Sequence, residues 1–123
     1  MIKKVDILIV IINIIFFLGT FLSFNSEFIY SLFGLYFPEN INFKFWQILT
    51  HMFMHGNLPH ILVNMFALWM FGSSVESILG SKNFLFFYLT CGFGAAVSQL
   101  AFYITITMLI WSFLLIMVMN QQK

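Results

Sequence analysis

Long uncharged apolar runs alternate with short polar interruptions along the chain, and the lengths of the runs predict membrane-spanning helices. The first, Val5 to Phe24, follows Lys3 and Lys4. It exceeds the roughly 7 to 15 residues of a signal-peptide core, and Asn25-Ser26-Glu27 does not follow a small-x-small cleavage pattern, so it reads as a retained span over about 5–24. From 25 to 57, Gly34, Pro38, Glu39, Asn40, Asn42 and Lys44 break up aromatic clusters such as Phe28-Ile29-Tyr30. Turn formers argue against a span here, and aromatic rings suit the headgroup layer, where one end of the ring is buried and the other wet; the segment is expected to be an outer interfacial loop. A second span is predicted over 58–79, with Pro59 near its start, where a missing N–H costs nothing. After Gly80-Ser81-Lys82-Asn83 the chain stays apolar from Phe84 to Met119. As one helix that stretch is roughly 54 Å long, too long for a hydrocarbon layer of about 30 Å. Its weakest point is Ser98-Gln99, so two further spans are expected, over about 83–100 and 102–119.

Charge agrees with this division. With four spans and the amino terminus inside, Lys3, Lys4, Lys82 and Lys123 fall on the cytoplasmic side and Lys44 alone falls outside, as the positive-inside rule requires. The expected architecture is a single all-α membrane domain of about four transmembrane helices, integral to a bacterial plasma membrane, with both termini cytoplasmic. Composition excludes a soluble domain: 62% of residues are hydrophobic, 20% aromatic and 7% charged, against about a quarter charged in soluble proteins. The lipid bilayer is thus the first partner. Net charge +1 without any Arg leaves no nucleic-acid footprint. The single cysteine, Cys91, allows no internal disulfide and reads as a small packing residue.

Few polar side chains remain inside the predicted spans. His60 and Asn64 are four apart near the outer end of the second span and therefore share a helix face. Ionisable groups at such positions point by default to function, although interhelical hydrogen bonding is the plainer alternative. His51 and His55 precede the span at a similar depth. Their spacing matches two helical zinc ligands, but Met52 stands where a zinc protease needs its Glu. Met52, Met54, Met65 and Met70 are soft-metal donors by type, yet methionine in apolar helices is more often packing filler. No metal and no cofactor is expected.

The order of these residues is more specific than any pair. Trp46, Thr50-His51, His55-Gly56, His60-x-x-x-Asn64, Gly72, Glu76 and Leu79-Gly80 follow one another in a pattern that resembles the rhomboid family of intramembrane serine proteases over about residues 43–100. The resemblance implies a large outer loop lying against the bilayer. In that loop Trp46 matches the family's Trp-Arg motif while Gln47 replaces the Arg, so the loop's charge anchor is expected to be missing. It implies that His51 and His55 are structural supports, that His60 and Asn64 help form an oxyanion hole, and that Glu76 ties a later loop in place. Transmembrane protein substrates or clients are the implied partners. The chemistry explains the pair, because donors aimed at the developing carbonyl oxyanion in a dry site are worth roughly 2.7 to 4 kcal/mol each.

The pattern then stops. Rhomboids take their nucleophile from Gly-x-Ser-Gly at the start of the fourth span and their base from a His on the sixth. Here no glycine follows Gly94 and no histidine follows His60. Ser73 and Ser74 lie at the inner end of the second span, Ser98 sits between Val97 and Gln99, and Ser112 between Trp111 and Phe113. The catalytic set is thus incomplete, an incomplete rhomboid-like bundle. Three accounts fit: an amino-terminal part of a protease, which is favoured, with a complementing chain unknown; a non-catalytic rhomboid-like pseudoprotease that binds transmembrane clients; or an unrelated small membrane protein. The first predicts that the DNA beyond codon 100, translated in all three frames, encodes Gly-x-Ser-Gly followed two spans later by His. Three frames without either sink it.

Overall fold

A computed structural model of the chain describes residues 4–120, and every regular element among them is helical. Helix α1 runs Lys4–Phe21, α2 Ser26–Phe33, α3 Gln47–Thr50 with a 3-10 turn His51–Phe53, α4 Leu58–Ala67, α5 Ser73–Leu79 and α6 Ser81–Asn120. A π-helical segment, Leu68–Gly72, joins α4 to α5, so Leu58–Leu79 is one rod of 22 residues. That rod and α6 are long and apolar enough to cross a membrane, and α1 is a shorter apolar helix. Lys3 and Lys123, which entered the charge argument, lie outside the described residues.

Helix α1 shows why this is a membrane protein. Asp6, Ile9, Asn13, Phe17 and Thr20 are buried at intervals of three and four, whereas Leu8, Ile11, Ile15 and Leu18 are exposed. Residues at that spacing share one face. Polar groups face the protein and aliphatic groups face outward, the reverse of a helix in water and the arrangement that hydrocarbon demands. The chain is an all-α membrane protein.

One end of the bundle, called inner only to set it apart from the opposite, outer end, is organised by Glu76, whose side chain is fully buried. Its carboxylate accepts from the backbone N–H of Asp6 at 3.0 Å and of Val5 at 3.4 Å. Those donors belong to the first turn of α1, which has no carbonyls of its own to bind them, and a negative group there also meets the positive end of the helix dipole. The Ser81 hydroxyl, at the start of α6, donates to the same carboxylate. Glu76 therefore joins α5 to the beginnings of α1 and α6. Between α5 and α6 stands Gly80 alone, at φ 79°, a conformation that favours glycine; the expected four-residue polar turn is shorter because Ser81, Lys82 and Asn83 are already helical.

The break expected between 100 and 102 is not formed. Helix α6 passes through Ser98 and Gln99 without interruption and runs for 40 residues. Neither residue forces φ positive or removes a backbone donor, and the nearest glycines, Gly92 and Gly94, are held inside the helix. Every side chain from 101 to 119 is exposed. Earlier in α6, Gly92 faces Met52 so closely that a Cβ there would lie 2.5 Å from the Met52 sulfur, and Ala96, one turn on, is fully buried. Gly94 and Ala95 point away.

Glu76→Ala leaves the Val5 and Asp6 N–H groups without an acceptor and is expected to cost about 2 to 3 kcal/mol. Glu76→Gln, whose carbonyl oxygen still accepts, is expected to cost about half as much. Unfolding in detergent measures both, and equal losses would contradict the capping account.

Candidate functional site

The outer loop carries the site, and Gln47 holds the loop together. Its side chain is fully buried. The amide nitrogen donates to the carbonyls of Ser31 and Asn42, each at 2.8 Å, and the amide oxygen accepts from Lys44 N–H at 3.0 Å. The loop thus carries no charged anchor at this position, and the neutral Gln47 amide ties it instead. Trp46 Nε1 donates to Leu32 O at 2.7 Å and Thr50 Oγ1 to Phe33 O at 2.9 Å, which fastens the α3 turn beneath the end of α2. Phe16 stacks on Phe53 at 5.7 Å and meets Phe33 edge-on at 5.5 Å, docking the loop on α1.

From that base the chain enters α4. Asn57 accepts from His60 N–H at 2.9 Å, the N-cap that starts the helix one residue before Pro59's turn. His60 and Asn64 both project from α4 and are exposed. Neither bonds the other. His55 lies between them: its Nε2 is 3.2 Å from Asn64 Nδ2, and its ring stands 5.0 Å from the His60 ring at 63°. His55 is 3% exposed, and its carbonyl accepts from the Tyr30 hydroxyl at 2.9 Å. With the Asn64 amide donating, Nε2 must be the acceptor, which leaves the proton on Nδ1, facing Phe53 O at 3.4 Å. Burial, with the neighbouring His60 acting in the same direction, holds the His55 pKa below its usual value against the opposing pull of the Phe53 carbonyl. A neutral imidazole is what this arrangement requires.

His51 is set by a bond of its Nδ1 to Gln47 O at 3.1 Å. It borders an open cleft of about 540 Å³ together with His60, Met54, Tyr30, Tyr36 and Gln99 of α6. The structure thus brings His51, His55, His60 and Asn64 together at the outer end. Glu76 is a different matter: twelve residues beyond Asn64, it lies about 18 Å further along the rod, at the inner end, and its partners are the starts of α1 and α6. Tyr30 and Gln99 were not anticipated as site residues. Gln99 was visible only as a weak point in an apolar run, and a tyrosine in an aromatic-rich loop carries no signal that sets it apart. No group of three His, Cys, Asp or Glu side chains able to hold a metal occurs among the described residues.

The arrangement offers donors without a nucleophile. The His60 ring makes no hydrogen bond among the described residues, so its N–H is free to face the cleft, and Asn64 has a second amide hydrogen beyond the one directed at His55. The side-chain hydroxyls of Ser77, Ser81 and Ser112 are engaged by Ser73 O, Glu76 and Met108 O. None of the described serines is hydrogen-bonded to an imidazole.

The helical bundle thus gathers three histidines and an asparagine at one end, beside a loop held by a buried glutamine. Residues 42–114 match the family model of the Rhomboid domain, and the chain belongs to the rhomboid family. It is 34% identical over 59 residues to the Rhomboid protease GluP of Bacillus subtilis (strain 168), a match that takes in 48% of this chain and 12% of that protein. The chain thus spans only a small part of the curated relative it matches. No solved structure matches it.

Because the folded state lowers the His55 pKa, the unfolded chain binds the proton more tightly. The stability His55 contributes is complete above about pH 6.5 and is lost as pH falls below it. The melting temperature in detergent is expected to drop between pH 7.5 and 5.0, and His55→Gln to reduce that drop. An unchanged slope in the variant would assign the pH dependence to other groups.

Proposed function

We propose that this chain carries the oxyanion-binding half of a rhomboid-type intramembrane serine endopeptidase acting on membrane-protein substrates. The observation that supports this most directly is the meeting of His60 and Asn64 across His55, beside a cleft open at the outer end of α4. A scissile carbonyl at the edge of that cleft would receive one N–H from the His60 ring, which lines it; the second would come from the Asn64 amide, which lines the adjoining pocket on the other side of His55. His51, His55, Trp46 and Glu76 act in this reading as supports: they set the loop, the imidazole that orients Asn64, and the inner anchor. In the bilayer, the amino terminus and the Gly80 turn face the cytoplasm and the loop over 25–57 faces outward, with Lys4 and Lys82 on one side and Lys44 on the other. The membrane is a bacterial plasma membrane.

By itself the chain is proposed to bind such substrates and leave them intact. An unactivated serine hydroxyl is a weak nucleophile, and the lack of any Ser–imidazole hydrogen bond among the described residues supports inactivity. The same observation favours a second reading, a pseudoprotease that holds transmembrane clients without cutting them.

The purified chain is expected neither to cleave a single-span model substrate in nanodiscs nor to react with a fluorophosphonate probe, while a photo-crosslinker at Met54 captures that substrate. Labelling that disappears when one serine is mutated would overturn the inactivity, and absence of capture would remove the site. In an active protease into which residues 42–100 are grafted, His60→Ala and Asn64→Ala are each expected to lower kcat by about 10² to 10³. Cleavage that is indifferent to both favours the pseudoprotease.

A further inference from the structure

Beneath the outer cleft, between α1, α4 and α6, lies a second pocket of about 230 Å³. Its walls include Asn13, Met52, His55, Asn64, Met65 and Tyr88. Asn13 comes from the middle of α1 and is fully buried. Its Nδ2 donates to Ile9 O at 2.8 Å, whereas its Oδ1 accepts no hydrogen bond among the described residues. A buried amide oxygen without a donor is strongly unfavourable in hydrocarbon, where neither water nor lipid tails supply one. The backbones of the helices around it cannot supply one either, because their interior N–H groups are spent within the helices, and the Tyr88 hydroxyl, which shares the pocket, makes no hydrogen bond to this oxygen.

The remaining walls show what ligand would fit. The Asn64 amide oxygen is an acceptor, and the Tyr88 hydroxyl both donates and accepts. The lining holds no carboxylate to attract a cation. An apolar occupant would leave Asn13 Oδ1 unpaired. A small neutral molecule that donates to one neighbour while accepting from another satisfies all of them, and the volume admits more than one water at about 30 Å³ each. We infer that this pocket is a hydration site, in which ordered water donates one hydrogen to Asn13 Oδ1 and the other to the Asn64 amide oxygen and accepts from the Tyr88 hydroxyl. The water links α1 to Asn64, so that the asparagine is oriented from both sides, by His55 directly and by Asn13 through water. This inference is independent of whether the chain belongs to an active protease.

Radiolytic hydroxyl-radical footprinting of the whole chain in nanodiscs tests it, since radicals formed from bound water oxidise the side chains beside it. Met65 and Tyr88 are expected to be modified several-fold faster than Met70, an exposed methionine deeper on the same rod. Asn13→Leu, which removes the acceptor, and Ala67→Val, which narrows the pocket from another wall, are each expected to bring Met65 down to the Met70 rate. Helicity and monodispersity confirm that each variant folds, and either folded variant decides the matter. Met65 oxidised no faster than Met70 in the unmodified chain would overturn the inference, leaving a dry pocket in which the Tyr88 hydroxyl turns onto Asn13. Oxidation of Met65 unaffected by both substitutions would overturn it too.

Discussion

Hydrocarbon offers a polar group nothing to bond to, and the fold depends on how Glu76 answers that constraint. One carboxylate receives two backbone N–H groups from the first turn of α1 and a hydroxyl from the first turn of α6. Three helices are thereby brought to one point at the inner end, before any apolar packing is considered. The apolar packing is modest, because most large hydrophobic side chains point outward, and outside lies lipid as apolar as they are. What lipid cannot provide is a partner for an exposed N–H, which makes polar satisfaction the ordering force among these helices.

The outer end obeys the same rule with a neutral residue. Gln47 gathers the carbonyls of Ser31 and Asn42 and the N–H of Lys44, so the loop closes over α2 without any charge. An amide serves here because the groups it joins are themselves neutral and need both a donor and an acceptor. From this platform His51, His55 and His60 follow at intervals of four and five residues. The middle one is buried as an orienting group while the other two border the cleft. His51 is half-buried, His55 buried and His60, already in α4, exposed.

The sequence made the family, the helical class and the second span legible, because Trp46, the three histidines, Asn64 and Glu76 form an ordered set and the 58–79 run has clear ends. The direct bond between Asn64 and His55 was not legible, since residues nine apart across a turn have no periodicity to relate them. The hydrogen bonds of Gln47 were not legible: the expectation concerned charge alone, while the loop is tied by neutral donors and acceptors. The turn placed at Ser98-Gln99 came from span length alone, and neither residue breaks a helix. Asn13 stands in the sequence only as one polar residue within an apolar run, and only the spatial neighbourhood of Asn64 and Tyr88 sets it apart.

The π segment Leu68–Gly72 has a consequence for how the two ends of the rod are phased. A π turn accommodates one more residue than an α turn, and each residue of an α-helix advances the azimuth by about 100°. Asn64 and Glu76 lie on opposite sides of this insertion, and Gly72 closes it where a Cβ would meet Leu68 at 3.1 Å and Phe84 at 3.4 Å. The segment therefore behaves as a mechanical phase adjuster. The half that carries Asn64 and the half that carries Glu76 thus stand at a different relative bearing from the one that an uninterrupted α-helix of the same sequence would give them.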